Sequence, residues 1–312
     1  MTAAERDISA FFGADGTIQP ITDKEFALFQ GLIHREAGIY LSQVKKALLV
    51  GRLTRRLREL GLRTFGAYYR RVVEEDGGER ARMLDCICTN ETHFFREPQQ
   101  FAFLEQHVFP DWKTRALSGL RARRIRAWSA ACSTGEEPYS LAMILLCHFP
   151  QTSGWEVEIL ATDLSIRALK RAQAGVWSLE NAARIPSTYL RKFMLKGTRS
   201  QAGKMRAGPE IRSAVRFHRL NLNDEYYPAL GPFDLVFCRN VLIYFDAGTK
   251  SRVIDRLLNH VAPTGYLLLG HAESLSNVTD RVRSVGPMVY VPLQDFEVAN
   301  RRARSRGNMP ER

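Results

Sequence analysis

The stretch from Arg124 to Phe149, RIRAWSAACSTGEEPYSLAMILLCHF, leaves this chain few folds to choose from. Ile125 to Ala131 is short, apolar and bounded by basic residues, the pattern of a buried central strand. Ser133-Thr134-Gly135 is a turn. Pro138 suits the first helical position, where a missing N–H costs nothing, and Leu141, Ile144, Leu145 and His148 follow at helical spacing. Strand, tight glycine turn and helix form the unit that places a ligand at the carboxyl end of a strand. The turn is wrong for a phosphate: it lacks G-x-G-x-x-G and a P-loop lysine, and it carries Glu136-Glu137 where a pyrophosphate would sit. Two carboxylates favour a cationic ligand rich in hydrogen-bond donors, such as S-adenosylmethionine with its sulfonium, amino group and ribose. The same residues also suit a solvated helix start whose acids complement the helix dipole, and the turn alone does not choose between the two.

Upstream lies a helical region. Thr22 and Glu25 form a capping box for a helix that buries Phe26, Phe29, Ile33 and Ala37 and stops at Gly38. Ser42 is positioned to cap a second helix with Leu49, Leu53, Leu57 and Leu60 on one face. Arg55 and Arg58 stand opposite, and Lys45 and Arg52 flank them. Thr64 opens a third helix with Phe65, Tyr68, Tyr69, Val72 and Val73. Gly77-Gly78 breaks the chain before a fourth, through Met83, Leu84 and Ile87. The segment NETHFFREPQQ from Asn90 is too aromatic for a free linker, so it is expected to be pinned down. Pro98 then opens a helix that Pro110 is expected to end.

Downstream, Glu156 to Leu160 reads as a second strand ending in Ala161-Thr162-Asp163. A carboxylate there accepts from both hydroxyls of a ribose, and its competing role is to cap the next helix. Ser165 is read as that cap, which frees Asp163. Val176 to Arg216 breaks the strand–helix rhythm and reads as an inserted antiparallel hairpin or small subdomain. VRFHRLNL from Val215 is a strand ending at Asn221, whose amide suits either an adenine edge or a turn. FDLVFC from Phe233 is an apolar strand with Arg239-Asn240 at its carboxyl end. The helix after it is expected to bury Val253, Ile254, Leu257, Leu258 and Val261 and to be closed by Pro263 and Gly265. Tyr266 to Leu269 is a strand followed by His271, read as a hydrogen-bonded structural histidine, and Val282–Val285 with Met288–Val291 forms a closing hairpin.

The net charge of +12 calls for an acidic partner. The five cysteines have no framework or zinc spacing and are expected to be reduced thiols in a cytoplasmic protein. No metal cluster is expected, no apolar run is long enough to cross a bilayer, and no secretory signal opens the chain.

Several blocks, taken together and in order, resemble the CheR family of chemotaxis receptor glutamate methyltransferases. They are TNETHFFRE from Thr89, WSAACSTGEEPYSLA from Trp128, the ATD ending at Asp163, FDLVFCRNVLIYFD from Phe233 and GHAESL from Gly270. The resemblance implies an α/β fold: a Rossmann-like class I SAM-dependent methyltransferase domain with an inserted small antiparallel β-subdomain, preceded by a small all-α N-terminal domain. The expected boundaries are 18–89 for the helical domain, 90–100 for a linker contributing to the cofactor site and 101–298 for the methyltransferase domain. The insert is expected at about 180–217, with a hairpin from Lys196 to Phe217, and a basic disordered tail at 299–312.

Carried over position by position, the family's cofactor residues fall on Asn90, Thr92, Arg96, Glu136, Asp163, Asn221, Leu222, Arg239 and Asn240. The resemblance implies S-adenosylmethionine as cofactor, S-adenosylhomocysteine as product, and no metal. Arg239 and Tyr244 are the expected substrate-orienting groups, and Arg52, Arg55 and Arg58 the expected docking face. The implied partner is the acidic coiled-coil methylation region of a chemoreceptor, with a receptor C-terminal peptide as a further partner for the β-subdomain. The protein is expected to be a cytoplasmic monomer that neither binds nucleic acid nor inserts into the membrane. Two other readings stand beside this one: a nucleic-acid methyltransferase, which the basic charge allows but the RNVL after the strand disfavours, and a non-catalytic cofactor-binding adapter.

Overall fold

The computed structural model describes residues 17–293 apart from 76–77, 229–230 and 277. The basic tail, the first sixteen residues and Gly77 lie outside these. The chain divides into two compact units at Cys88/Thr89.

Among its described residues the first unit has the helices α1 (Asp23–Ala37), α2 (Lys46–Glu59), α3 (Phe65–Glu74) and α4 (Gly78–Ile87). The Thr22–Glu25 capping box is formed in both directions, and Gly38 ends α1 in the left-handed region with φ 70°. Ser42 makes no capping bond to α2, because a 3₁₀ turn, Gln43–Lys45, intervenes. The core is Phe26, Phe29, Leu53, Leu57, Phe65, Tyr68 and Met83, all fully buried. Within it sits a charge network. Glu79 accepts from Arg56 Nε at 2.8 Å and Nη2 at 2.5 Å, and from the Tyr68 hydroxyl at 3.0 Å. Burial pushes the Glu79 carboxyl up, but the hydrogen bonds from Arg56 and Tyr68 outweigh it and hold the group below its ordinary range.

The second unit opens with α5 (Pro98–Phe103), a π-helical turn (Leu104–Val108) and α6 (Phe109–Leu117). These run on without a break, so Pro110 does not end the helix as expected. The wider π turn before it removes the need for the N–H that proline lacks, and Thr114 Oγ1 takes up the Pro110 carbonyl at 3.0 Å.

The central sheet follows: β1 (Arg124–Ala130), α7 (Glu136–His148), β2 (Glu156–Asp163) and α8 (Ile166–Ala174). After an insert come β6 (Val215–Arg219), β7 (Phe233–Cys238), α11 (Ala247–Leu258), β8 (Val261–Leu269), β9 (Val282–Gly286) and β10 (Val289–Pro292). The insert is β3 (Val176–Ser178), α9 (Ser187–Phe193), β4 (Met194–Lys196), β5 (Lys204–Ala207) and α10 (Pro209–Ser213). Its three strands form an antiparallel sheet in the order β3-β5-β4, starting before residue 180. Val215 to Phe217 belong to the main sheet and not to the hairpin, because β6 pairs in parallel with β2.

The main sheet has the order β6-β2-β1-β7-β8-β10-β9, parallel except at β10. Alternate residues fill two layers. Ile125, Ala127, Leu235 and Phe237 pack toward α7, while Trp128, Ala130, Val236 and Cys238 pack toward α11. Val261 is a strand residue, not the end of a helix. Pro263 and Gly265 close nothing; they lie where the β7–β8 register shifts, and a Cβ on Gly265 would stand 2.7 Å from the Phe233 carbonyl. Among the described residues no helix is long and apolar enough to cross a membrane.

The Glu79 network yields a stability prediction. Glu79→Ala leaves Arg56 with Glu59 as its remaining counter-charge and strips the buried Tyr68 hydroxyl of its acceptor, which costs about 1–3 kcal/mol, and the thermal midpoint of the full chain should fall accordingly. The stability that Glu79 contributes is complete above the ordinary glutamate range and is lost as pH falls through its depressed folded value. The variant should therefore show a smaller acid-side loss than the wild type. Equal midpoints across pH would show that the pair contributes nothing.

Candidate functional site

The strand order reverses between β1 and β7, which leaves a crevice at their carboxyl ends. The turn after β1 is strained: Ala131, Ser133 and Gly135 all have positive φ, at 66°, 51° and 98°. Gly135 is required twice over, by its φ and because a Cβ would lie 2.9 Å from the Ala172 Cβ.

Asp163 holds this turn. Its Oδ2 accepts the Ser133 N–H at 2.8 Å and its Oδ1 the Ser165 N–H at 2.8 Å. The cap at Ser165 does exist, as Ser165 Oγ accepts from Ala168, but it does not free Asp163. The Ser133 hydroxyl is buried with no hydrogen-bond partner. Glu136, buried at the first position of α7, accepts from Thr134 Oγ1 at 2.7 Å. Burial pushes its carboxyl above the usual range, against hydrogen bonds from Thr134 and from Trp177 on β3. The turn therefore offers two buried carboxylates and an unsatisfied hydroxyl. That acceptor-rich set fits the amino group and ribose of S-adenosylmethionine and does not fit a phosphate.

Glu137 turns the other way. Ser129 Oγ donates to its Oε1 at 2.7 Å, and Arg239 Nε lies 3.1 Å from its Oε2. Burial raises the Glu137 carboxyl, opposed by the Arg239 charge. The Arg239 side chain is 1% exposed; its Nη1 donates to Gln100 Oε1 at 3.0 Å and its Nη2 to the Arg96 carbonyl at 2.7 Å. This differs from the orienting role expected for Arg239. A guanidinium turned inward onto three protein partners braces the linker against β7 and presents no face to a substrate. Tyr244 stands half-buried in the 3₁₀ turn Leu242–Tyr244.

The linker is pinned, by burial of its two phenylalanines. Phe94 meets Trp177 edge-on at 5.0 Å, Phe95 stacks on Tyr189 at 5.3 Å, and the Phe95 N–H donates to Ser140 Oγ at 3.0 Å. Arg96 is half-buried with Nη1 on the Glu91 carbonyl at 3.2 Å. Asn90 and Thr92 are half-buried, outside any helix or strand. Asn221 closes an Asx turn onto the Asn223 N–H at 3.0 Å, one residue beyond Leu220, whose N–H bonds the Asp163 carbonyl at 3.1 Å. Leu222 is buried in the layer beneath. Asn240, at φ 58°, donates its N–H to Glu273 Oε2 at 2.7 Å and its Nδ2 to Glu97 Oε1 at 3.3 Å.

The structure thus joins the β1 turn, Asp163 and Asn221 at one end, and Arg96, Arg239 and Asn240 at the other. Reasoning from sequence missed Ser133, Glu97, Gln100 and Glu273. Each lies inside or beside a block that carries the resemblance, but nothing in spacing tells an acid that collects backbone N–H groups from one that faces solvent.

Residues 90–291 match the family model described as CheR methyltransferase, SAM binding domain, and residues 24–88 match CheR methyltransferase, all-alpha domain. The chain is 37% identical over 271 residues to chemotaxis protein methyltransferase 2 of Pseudomonas aeruginosa, covering 87% of this chain and 94% of that protein. It is 36% identical over 278 residues to the chemotaxis protein methyltransferase of Escherichia coli, covering 88% and 93%. It is 38% identical over 267 residues to chemotaxis protein methyltransferase 1 of Pseudomonas aeruginosa, covering 84% and 94%.

The turn itself can be tested. Asp163→Asn keeps one acceptor oxygen but sets an amide donor against a buried backbone N–H. The loss is about 1–3 kcal/mol, visible as a lower thermal midpoint. An unchanged midpoint would mean that the turn does not depend on this carboxylate.

Proposed function

The chain belongs to the CheR methyltransferase family, and we propose that it esterifies glutamate side chains in the methylation region of chemoreceptors, using S-adenosylmethionine. The observation that carries this reading is the acceptor set around the β1 turn: Asp163, Glu136 and the unpartnered Ser133 hydroxyl. Relatives named as chemotaxis protein methyltransferases support the receptor as substrate.

In this reading Asp163 accepts from the ribose hydroxyls and Glu136 takes the amino group. Asn221 and Leu222 flank the adenine, and Arg96 pairs with the cofactor carboxylate. Asn90, Thr92 and Asn240 complete the wall, and Arg239 contributes by holding the Arg96 carbonyl. When bound, S-adenosylmethionine supplies a methyl group that passes to a carboxylate oxygen while the carbon–sulfur electron pair stays on sulfur, leaving S-adenosylhomocysteine. A glutamate, with an ordinary pKa of about 4.3, is already ionised at neutral pH, so no side chain has to act as a base. The chain's task is to hold the carboxylate in line and to exclude water, and Tyr244 is the remaining candidate for orienting it.

The docking face is α2. Arg55 is 87% exposed and Arg58 is exposed beside it, while Arg52 donates to the Ile87 carbonyl and is tied to α4. Arg55 and Arg58 therefore carry the electrostatic encounter with an acidic coiled coil, and Arg52 shapes the face.

Labelled cofactor offered with receptor membranes and with bulk RNA tests the function. Base-labile label should appear on the receptors only, and label on RNA would overturn the glutamate reading. Asp163→Ala should weaken binding of cofactor and product alike by about 1.5–3 kcal/mol in calorimetry, and unchanged affinity would remove Asp163 from the site. Replacing Arg55 and Arg58 together by Glu should leave the thermal midpoint and cofactor affinity unchanged, since exposed pairs such as Arg55–Glu59 contribute little. Receptor methylation should fall, and the wild-type rate should drop more steeply with salt than the variant's. A wild-type rate in the double variant at low salt would place docking elsewhere.

A further inference from the structure

At the carboxyl ends of β7 and β8 an exposed imidazole is held by a buried carboxylate. Glu97 closes the linker in left-handed backbone, φ 59°, with its side chain 8% exposed. Its Oε1 accepts the His271 N–H at 3.1 Å, lies 2.9 Å from His271 Nδ1, and accepts from Asn240 Nδ2 at 3.3 Å. Its Oε2 is buried with no hydrogen-bond partner. Burial pushes this carboxyl up, but the His271 hydrogen bonds, the Arg239 charge and Asn240 outweigh it, so the group sits below its ordinary range. An ionised carboxylate only accepts, so Nδ1 of His271 carries a proton and Nε2 is turned away from Glu97.

His271 is thereby fixed at two points, backbone and ring, although its side chain is 70% exposed. Stability does not account for this. Ordering an exposed side chain costs conformational entropy, and a pair with one partner at the surface returns little. A buried acid left with a spare oxygen is a further cost. The arrangement instead resembles the way an outer carboxylate aims an imidazole at a ligand. The place agrees: His271 follows β8 directly, and Asn240, which shares its carboxylate, follows β7 beside the crevice.

We propose that His271, held at Nδ1 by Glu97, turns its Nε2 to the carboxylate of the substrate glutamate and donates to it, with Glu97 as the positioning residue that aims the ring. This rests on the glutamate reading above. A single donor suits the reaction better than a forked one. It fixes one oxygen and leaves the other open to the methyl group, whereas a bidentate arginine would occupy both. Because the carboxylate loses its charge as the ester forms, this bond is stronger to the bound substrate than to the transition state. Removing it therefore weakens binding without slowing the chemical step.

The test is steady-state methylation of receptor membranes by the full chain, with cofactor affinity measured separately by calorimetry. His271→Ala should raise the receptor KM about tenfold, while kcat stays level or rises and cofactor affinity is unchanged. His271→Gln, which keeps a donor amide, should recover most of the KM, and Glu97→Gln should raise it in the same direction as the alanine variant. A receptor KM within twofold of wild type in His271→Ala would overturn the proposal. So would a loss of cofactor affinity, or a fall in kcat with KM unchanged, either of which would assign His271 to the cofactor pocket or to the scaffold. The wild type is the control for the underlying reading: if it forms no base-labile ester on receptors, the glutamate reading itself fails, whatever the His271 variants do.

Discussion

Burial of the Arg239 guanidinium is the constraint from which the rest of the site follows. A charge with almost no exposure at the end of an internal strand is tolerated only where a counter-charge and oriented acceptors surround it. Glu137 supplies the charge from α7, Gln100 an amide oxygen from α5, and Arg96 its carbonyl from the linker. Two stretches far apart in the chain, Arg96 to Gln100 and the start of α7, are thereby held to one strand end. The linker, which makes no strand or helix of its own, acquires a fixed path over the crevice.

The same logic recurs at the other strand ends. Parallel strands that stop at a crevice leave backbone N–H groups that no ladder can satisfy. Buried acids collect them here. Glu273 accepts from Asn240, Ile243 and Gly270 at 2.7, 3.3 and 2.8 Å, and Asp163 accepts from Ser133 and Ser165. The result is a rim rich in carboxylates within a chain of net charge +12. The acids are drawn inward by the needs of the backbone, and Arg55 and Arg58 of α2 are exposed in the other unit, so under the proposed function affinity for a donor-rich cofactor and attraction to an acidic partner would reside in separate parts of the molecule.

Local chemistry was legible in the residues. The Thr22–Glu25 box, the caps at Thr64 and Ser165 and the strand at Phe233 each depend on neighbours within a few positions. The blocks around Trp128, Phe233 and Gly270 were enough to indicate the fold and the family. Misreadings arose where a local signal was overridden from a distance. Pro110 reads as a helix end, yet a π turn absorbs it; Val261 and Pro263 read as a helix end, yet pairing with β7 draws them into a strand.

By itself the sequence determined most of the element types, the glycine turn with its acids and the blocks that place the chain in its family, because these rest on spacing and side-chain chemistry that the chain carries in order. Only the tertiary structure decided which acid does what. Glu136 and Glu137 are adjacent and chemically identical, but the helix start points one at the turn and the other at Arg239. Glu97 and His271 are 174 positions apart and meet because Arg239 holds the linker to the end of β7 and β8 lies beside β7. The role of a carboxylate depends on which donors surround it, and those donors are brought in by sheet order and not by neighbours in the chain.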